Sequence, residues 1–119
     1  MHIHRWSEVQ KEQLNPTLIR QAIHGETMTI ARLEMKKGSY VPVHSHPNEQ
    51  ITNLEKGRLK FVFGGKEAGK EVVVNAGESL QIPPDLPHSA EALEDSVAVD
   101  TFSPPREDWL RGDDAYLRK

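Results

Sequence analysis

Residues 38–57 read GSYVPVHSHPNEQITNLEKG. His44 and His46 stand one residue apart between two bounding glycines, with Pro47, Glu49 and Gln50 just behind. On a strand, side chains at i and i+2 point to one face, so both imidazoles can reach a single ion. The pair alone is a weak indication. His2 and His4 in MHIH have the same spacing, with no glycine ahead and no carboxylate or amide usefully placed behind, and read as a terminal coincidence. Either Glu49 or Gln50 offers a further oxygen. Gln50 shares parity with the two histidines, although Pro47 can break the strand between them.

Outward from this stretch, short segments alternate apolar and polar residues between turn residues, the pattern of an all-β sandwich or barrel. MTIARLEM (28–35) is one such segment. In RLKFVFGG (58–65), Leu59, Phe61 and Phe63 share a face, and Gly64 and Gly65 supply a turn. EVVVNAGESLQIPP (71–84) divides into two strands around Asn75 to Gly77. SVAVDTFSPP (96–105) sets Val97, Val99 and Thr101 against Ala98, Asp100 and Phe102, and its prolines stop the strand. Residues 7–23, with Pro16 and weak periodicity, read as an irregular arm with one edge strand at most. The tail PPREDWLRGDDAYLRK predicts a short helix, or two turns broken at Gly112, burying Trp109 and Leu110.

At 119 residues the chain fits one domain, 1–119, with no repeat or linker. No apolar run reaches the length of a membrane span, and the polar N-terminus lacks a secretory core, so the expected compartment is the cytoplasm. The absence of cysteine excludes thiolate ligands, disulfides and thiol nucleophiles. A net charge of -3 with scattered basic residues gives no footprint for nucleic acid.

A second stretch, GESLQIPPDLPH (77–88), sets Gly77, five residues, Pro83, one residue, Asp85, two residues, His88. Together with Gly38, His44, His46, Gln50 and Gly57, and with nineteen residues between Gly57 and Gly77, it resembles the two spaced motifs of the cupin superfamily. Asp85 stands where that motif usually has glycine and Ala92 where it often has asparagine, and neither is a usual ligand position. The resemblance implies a double-stranded β-helix, or jelly-roll barrel, with a short C-terminal helix. It also implies one divalent transition metal held by His44, His46, Gln50 and His88. Glu49 then faces outward or toward a subunit partner, and His24 is a surface residue. Nickel, zinc, iron, cobalt and manganese all suit such donors. Three imidazoles and an amide leave the charge of the ion unbalanced, which favours Lewis acidity and anionic ligands.

HSHPNEQ and VDTFSPPREDWL further resemble the KdgF family of small pectin-degradation cupins, over most of residues 28–110. That likeness implies opening of 4,5-unsaturated uronates, with Asp100 and Arg106 as catalytic residues, a small anionic substrate and a homodimer. The residues themselves are compatible. Asp is disfavoured in strands, yet Asp100 lies on the Ala98 and Phe102 face, where a carboxylate can serve as general acid or base. Arg106, after two prolines, can grip a carboxylate bidentately. The alternatives are a structural hydrogen bond for Asp100 and a surface ion pair of Arg106 with Glu107 or Asp108. Arg32, Tyr40 and Phe102 are further candidates for the pocket wall. Competing functions are a cupin dioxygenase, which a neutral Gln disfavours because such sites often use a carboxylate, and a non-enzymatic metal or sugar binder.

Overall fold

Period-two alternation becomes ten antiparallel strands in the computed structural model, which describes residues 1–119. They are β1 (Glu12–Asn15), β2 (Leu18–His24), β3 (Thr29–Met35), β4 (Tyr40–His44), β5 (Glu49–Lys56), β6 (Arg58–Phe63), β7 (Glu71–Asn75), β8 (Ser79–Ile82), β9 (His88–Ala92) and β10 (Ser96–Ser103). A single helical turn and a half, α1 (Glu107–Arg111), and a 3-10 turn at Ala115–Leu117 complete the tail. One sheet runs β1-β2-β3-β10-β5-β8 and the other β4-β9-β6-β7. This is the jelly roll expected from the two motifs.

The sheets bury their inner faces against each other. Ala31, Met35, Leu54, Ile82, Ala98 and Phe102 from the larger sheet meet Val41, Leu59, Phe61, Phe63, Val74 and Ala92 from the smaller. Each fully buried Leu or Phe contributes about 1.5–3 kcal/mol. The strand pair β7 and β8 does not form a hairpin. The turn at Asn75 to Gly77 carries the chain from one sheet to the other, so that β7 pairs β6 while β8 pairs β5.

Two backbone positions need special chemistry. Gly57 joins β5 to β6 at φ 88°, and a Cβ there would collide with the side chain of Ser96 and the carbonyl of Asp95. Asp85 is the one non-glycine residue at positive φ, 65°. Asp enters that region more readily than most residues, and its amide donates to the carbonyl of His46 at 2.8 Å, tying the loop before β9 to a histidine-bearing loop.

Two expectations are corrected. Residues 12–24 form two paired strands rather than an arm with one edge strand, and Leu14, Leu18, Arg20 and Gln21 are buried. Their inward residues are partly polar, so alternation of hydrophobicity does not mark them. In the tail Trp109 is buried as expected, but Leu110 is 55% exposed, because so short a helix turns only one apolar side chain inward.

Candidate metal centre

Four strand termini meet at one end of the barrel: the end of β4, the starts of β5 and β9, and the end of β10. His44 and His88 are direct cross-strand partners on β4 and β9, with ring centroids 4.4 Å apart. His46 reaches the same point from the loop before β5, its centroid 5.7 Å from His44 and 5.2 Å from His88. The nearest donor atoms of the three rings all lie within 4.8 Å of one another, and the three histidines could bind a metal ion.

The hydrogen bonds around the rings set their tautomers. Nδ1 of His44 meets the carbonyl of Pro42 at 2.8 Å, Nδ1 of His46 that of Asn48 at 3.0 Å, and Nδ1 of His88 that of Leu86 at 2.8 Å. A carbonyl only accepts, so each Nδ1 carries the proton and each Nε2 presents a lone pair. Nε2 of His88 is buried with no partner at all. Nε2 of His46 faces Oε1 of Gln50 at 3.0 Å. The Gln50 amide is turned that way because its Nε2 donates to Oγ1 of Thr52 at 2.9 Å. Two acceptors at that distance repel unless a cation lies between them, and an orphaned imidazole nitrogen costs about 1–3 kcal/mol unless something binds it. The donor set fits a transition metal.

Burial keeps the imidazoles neutral. His44 is pushed down to about 4 by desolvation and then by its neighbour His88. His46 falls to about 4 through desolvation and the nearby Arg106 cation. Desolvation also lowers His88. Neutral imidazoles are the form that ligates metal.

In front of the histidines lies a mostly apolar space of about 540 Å³, counted out to solvent, walled by Leu59, Phe61, Phe102 and Trp109 among others. Asp100 projects into it from β10, 6% exposed, because its parity matches Ala98 and Phe102. Desolvation lifts its carboxyl to about 6, against hydrogen bonding from Thr52 and attraction to Arg106, which both pull downward. Its Oδ1 has no partner. Thr52 is its cross-strand neighbour on β5. The Thr52 hydroxyl accepts from the Gln50 amide and stands across the strand pair from Asp100, next to both functional groups.

Arg106 lines the same space at 2% exposure. The sequence alternative of an ion pair with Asp108 is present: Nε and Nη2 bind the two Asp108 oxygens at 2.9 and 2.7 Å. The pair is buried on the arginine side rather than superficial, and Nη2 also donates to the Tyr116 hydroxyl at 2.6 Å. The guanidinium packs against the rings of Phe102 and Trp109, 4.6 and 4.3 Å from their centroids, and those two rings meet edge to face. Burial alone would lower its pKa, but Asp108 and Tyr116 more than offset this and hold it charged. Nη1 takes no part in these bonds. The Asn48 side chain donates to the carbonyls of Pro104 and Pro105, fastening the His46 loop to the segment that delivers Arg106.

Phe102 lines the cavity as expected, but Arg32 and Tyr40 do not. Arg32 has the outward parity of β3 and pairs Glu34. Tyr40 shares parity with His44, yet the β4–β9 register shifts between Val41 and His44, so Val41 turns inward with His44 and Tyr40 is left 54% exposed. Glu49 is exposed and accepts from Gln81, and His24 is exposed at the end of β2. Sequence reasoning missed Thr52, Asn48 and Tyr116. Thr52 shares the parity of Gln50 and was open to discovery on that ground, whereas nothing local marks Tyr116.

The cupin domain family matches residues 31–102. A solved RmlC-like cupin from Shewanella frigidimarina is 26% identical, superposing over 92% of this chain and 96% of that one with a TM-score of 0.81. KdgF from Halomonas sp. is 23% identical over 91% of this chain and 99% of its own, with a TM-score of 0.80, a likeness of fold. Oxalate decarboxylase from Lactobacillus farciminis, 17% identical, shares the fold over 92% of this chain and 38% of its own, with a TM-score of 0.72. No curated protein sequence matches the chain. With the histidines, the jelly roll and a family match covering more than half its length, the chain belongs to the cupin domain family.

Proposed function

We propose that this cupin is a metal-dependent enzyme that opens 4,5-unsaturated uronates, or closely similar small carboxylates, to the linear keto acid. The observation that carries the reading is the pairing of a buried carboxyl of pKa about 6, with one unpartnered oxygen, and a buried guanidinium with Nη1 uncommitted, in one cavity beside three neutral imidazoles. His44, His46 and His88, with Gln50 as fourth donor, would hold the ion, which supplies Lewis-acid polarisation of a bound oxygen.

The reaction is an isomerisation and needs no co-reactant. The hydroxyl proton on C1 is removed, the C1–O bond of the ring breaks to leave an aldehyde, and the resulting enol at C5 becomes a ketone as C4 takes up a proton. A carboxyl of pKa about 6 is present in both protonation states near neutrality and can take the first proton and return it. Arg106 offers Nη1 to the substrate carboxylate while Asp108 fixes the rest of its fork. The apolar walls exclude water and strengthen both interactions.

The test is loss of the ultraviolet absorbance of 4,5-unsaturated galacturonate with metal-loaded protein and no oxygen or reductant. Absence of turnover with nickel, zinc, iron, cobalt and manganese alike would sink the reading, and turnover that needs oxygen would move the protein to the dioxygenases.

A further inference from the structure

Tyr116 sits on the 3-10 turn of the tail, far in sequence from the three histidines, yet its ring stacks on His44 at 4.7 Å between centroids and 27° between planes. It lines the same cavity as His88, Asp100 and Arg106. Its position is held from several sides. Leu117 is buried, and the Leu117 carbonyl accepts from Asn15 at 3.0 Å. The adjoining Asp114 is clamped by Arg20 at 2.9 Å and by Arg118 at 3.1 Å.

The phenolic oxygen accepts from Nη2 of Arg106 at 2.6 Å and, at a long 3.5 Å, from Nε1 of Trp109. Both bonds use its lone pairs, and its own proton has no acceptor in the protein. A hydroxyl that accepts from a cation and has nothing to donate to, on the wall of a cavity, is placed to donate to a ligand there. We propose that Tyr116 is a substrate-contacting residue, donating its phenolic proton to a carboxylate oxygen of the ligand that Arg106 binds. This rests on the reading of the substrate as a small carboxylate.

The test uses metal-loaded protein and the unreactive sugar acid galacturonate, titrated calorimetrically, beside turnover of the unsaturated substrate. Tyr116→Phe keeps the ring against His44 and should retain full metal content while weakening galacturonate binding ~10- to 100-fold, the range for a lost hydrogen bond to a charged group. The same substitution in an Arg106→Lys background should weaken binding by a similar factor. Loss of the effect in that background would show that Tyr116 acts only through Arg106 and would overturn the assignment. Unchanged binding by Tyr116→Phe in a protein whose wild type binds and turns over also overturns it while the uronate reading stands. A wild type that neither binds nor turns over removes both.

Discussion

Replacing Asp100 with Asn should stabilise the metal-free protein at alkaline pH and destabilise it at acid pH. In the fold the carboxyl titrates near 6, whereas the unfolded chain returns it to 3.8. The folded state therefore binds the proton more tightly, and wild-type stability falls through this group as pH rises from about 4 to 6, then levels off. The rise from 3.8 to about 6 corresponds to about 3 kcal/mol of cost for carrying the ionised group at pH 8. Asn removes that cost but sets an amide N–H where Oδ1 already lacks a partner, at about 1 kcal/mol. The net expectation is a gain of about 2 kcal/mol at pH 8 and a loss of about 1 kcal/mol at pH 4. Urea unfolding with a chelator present, at both pH values, measures it. The buried histidines add their own dependence, losing stability as pH drops from 6.5 toward 4, but equally in both proteins. A variant that is no more stable, relative to wild type, at pH 8 than at pH 4 would refute the argument that burial of the ionised Asp100 is costly.

Other outcomes follow from the same geometry. His46→Ala should lose stoichiometric metal while circular dichroism shows the barrel intact, and full occupancy by elemental analysis would remove His46 from the centre. Because His44 and His46 titrate near 4, proton competition should release metal only as pH approaches that value; release near 6.5 on dialysis would mean the rings are more exposed than the fold places them. Gln50→Glu should hold metal at least as tightly but lower turnover. The added carboxylate stands beside Thr52, the cross-strand neighbour of Asp100, and its negative charge should raise the Asp100 pKa further and move the acid limb of the pH–rate profile upward; an unmoved limb would uncouple position 50 from Asp100. Gly57→Ala should cost more than about 2 kcal/mol in urea unfolding, since positive φ and contact with the Ser96 backbone act together.

The alternation of β10 gave away Asp100 and Phe102 because one face of an antiparallel strand is buried and a side chain on the same parity has nowhere else to point. The two motifs that resemble the cupin pattern, rather than the histidine pair alone, pointed to His44, His46 and His88; His44 and His88 meet as cross-strand partners, and His46 joins them from a loop tied to Asp85. Parity failed at Tyr40, where a register irregularity lets Val41 and His44 share a face. It was silent for β1 and β2, where Arg20 takes an inward place and binds Asp114, while Gln21 on the opposite face is buried under the N-terminal segment and donates to the carbonyls of Trp6 and Val9. Tyr116 was invisible because its place depends on the tail folding back across the barrel, a long-range event fixed by Arg20, Asp114 and Asn15, with no local periodicity to announce it.

All three imidazoles are fixed through main-chain carbonyls, those of Pro42, Asn48 and Leu86, and none through a side chain. No single substitution can delete such an anchor, as the loss of a carboxylate partner would in centres that orient their histidines with aspartates. The tripod is thus insulated from mutation of its surroundings, and innovation can concentrate on positions 52, 100 and 116, none of them a donor to the ion. A combinatorial library at those three sites would be expected to retain metal in most members that fold, which makes this barrel a convenient chassis for redirecting its chemistry.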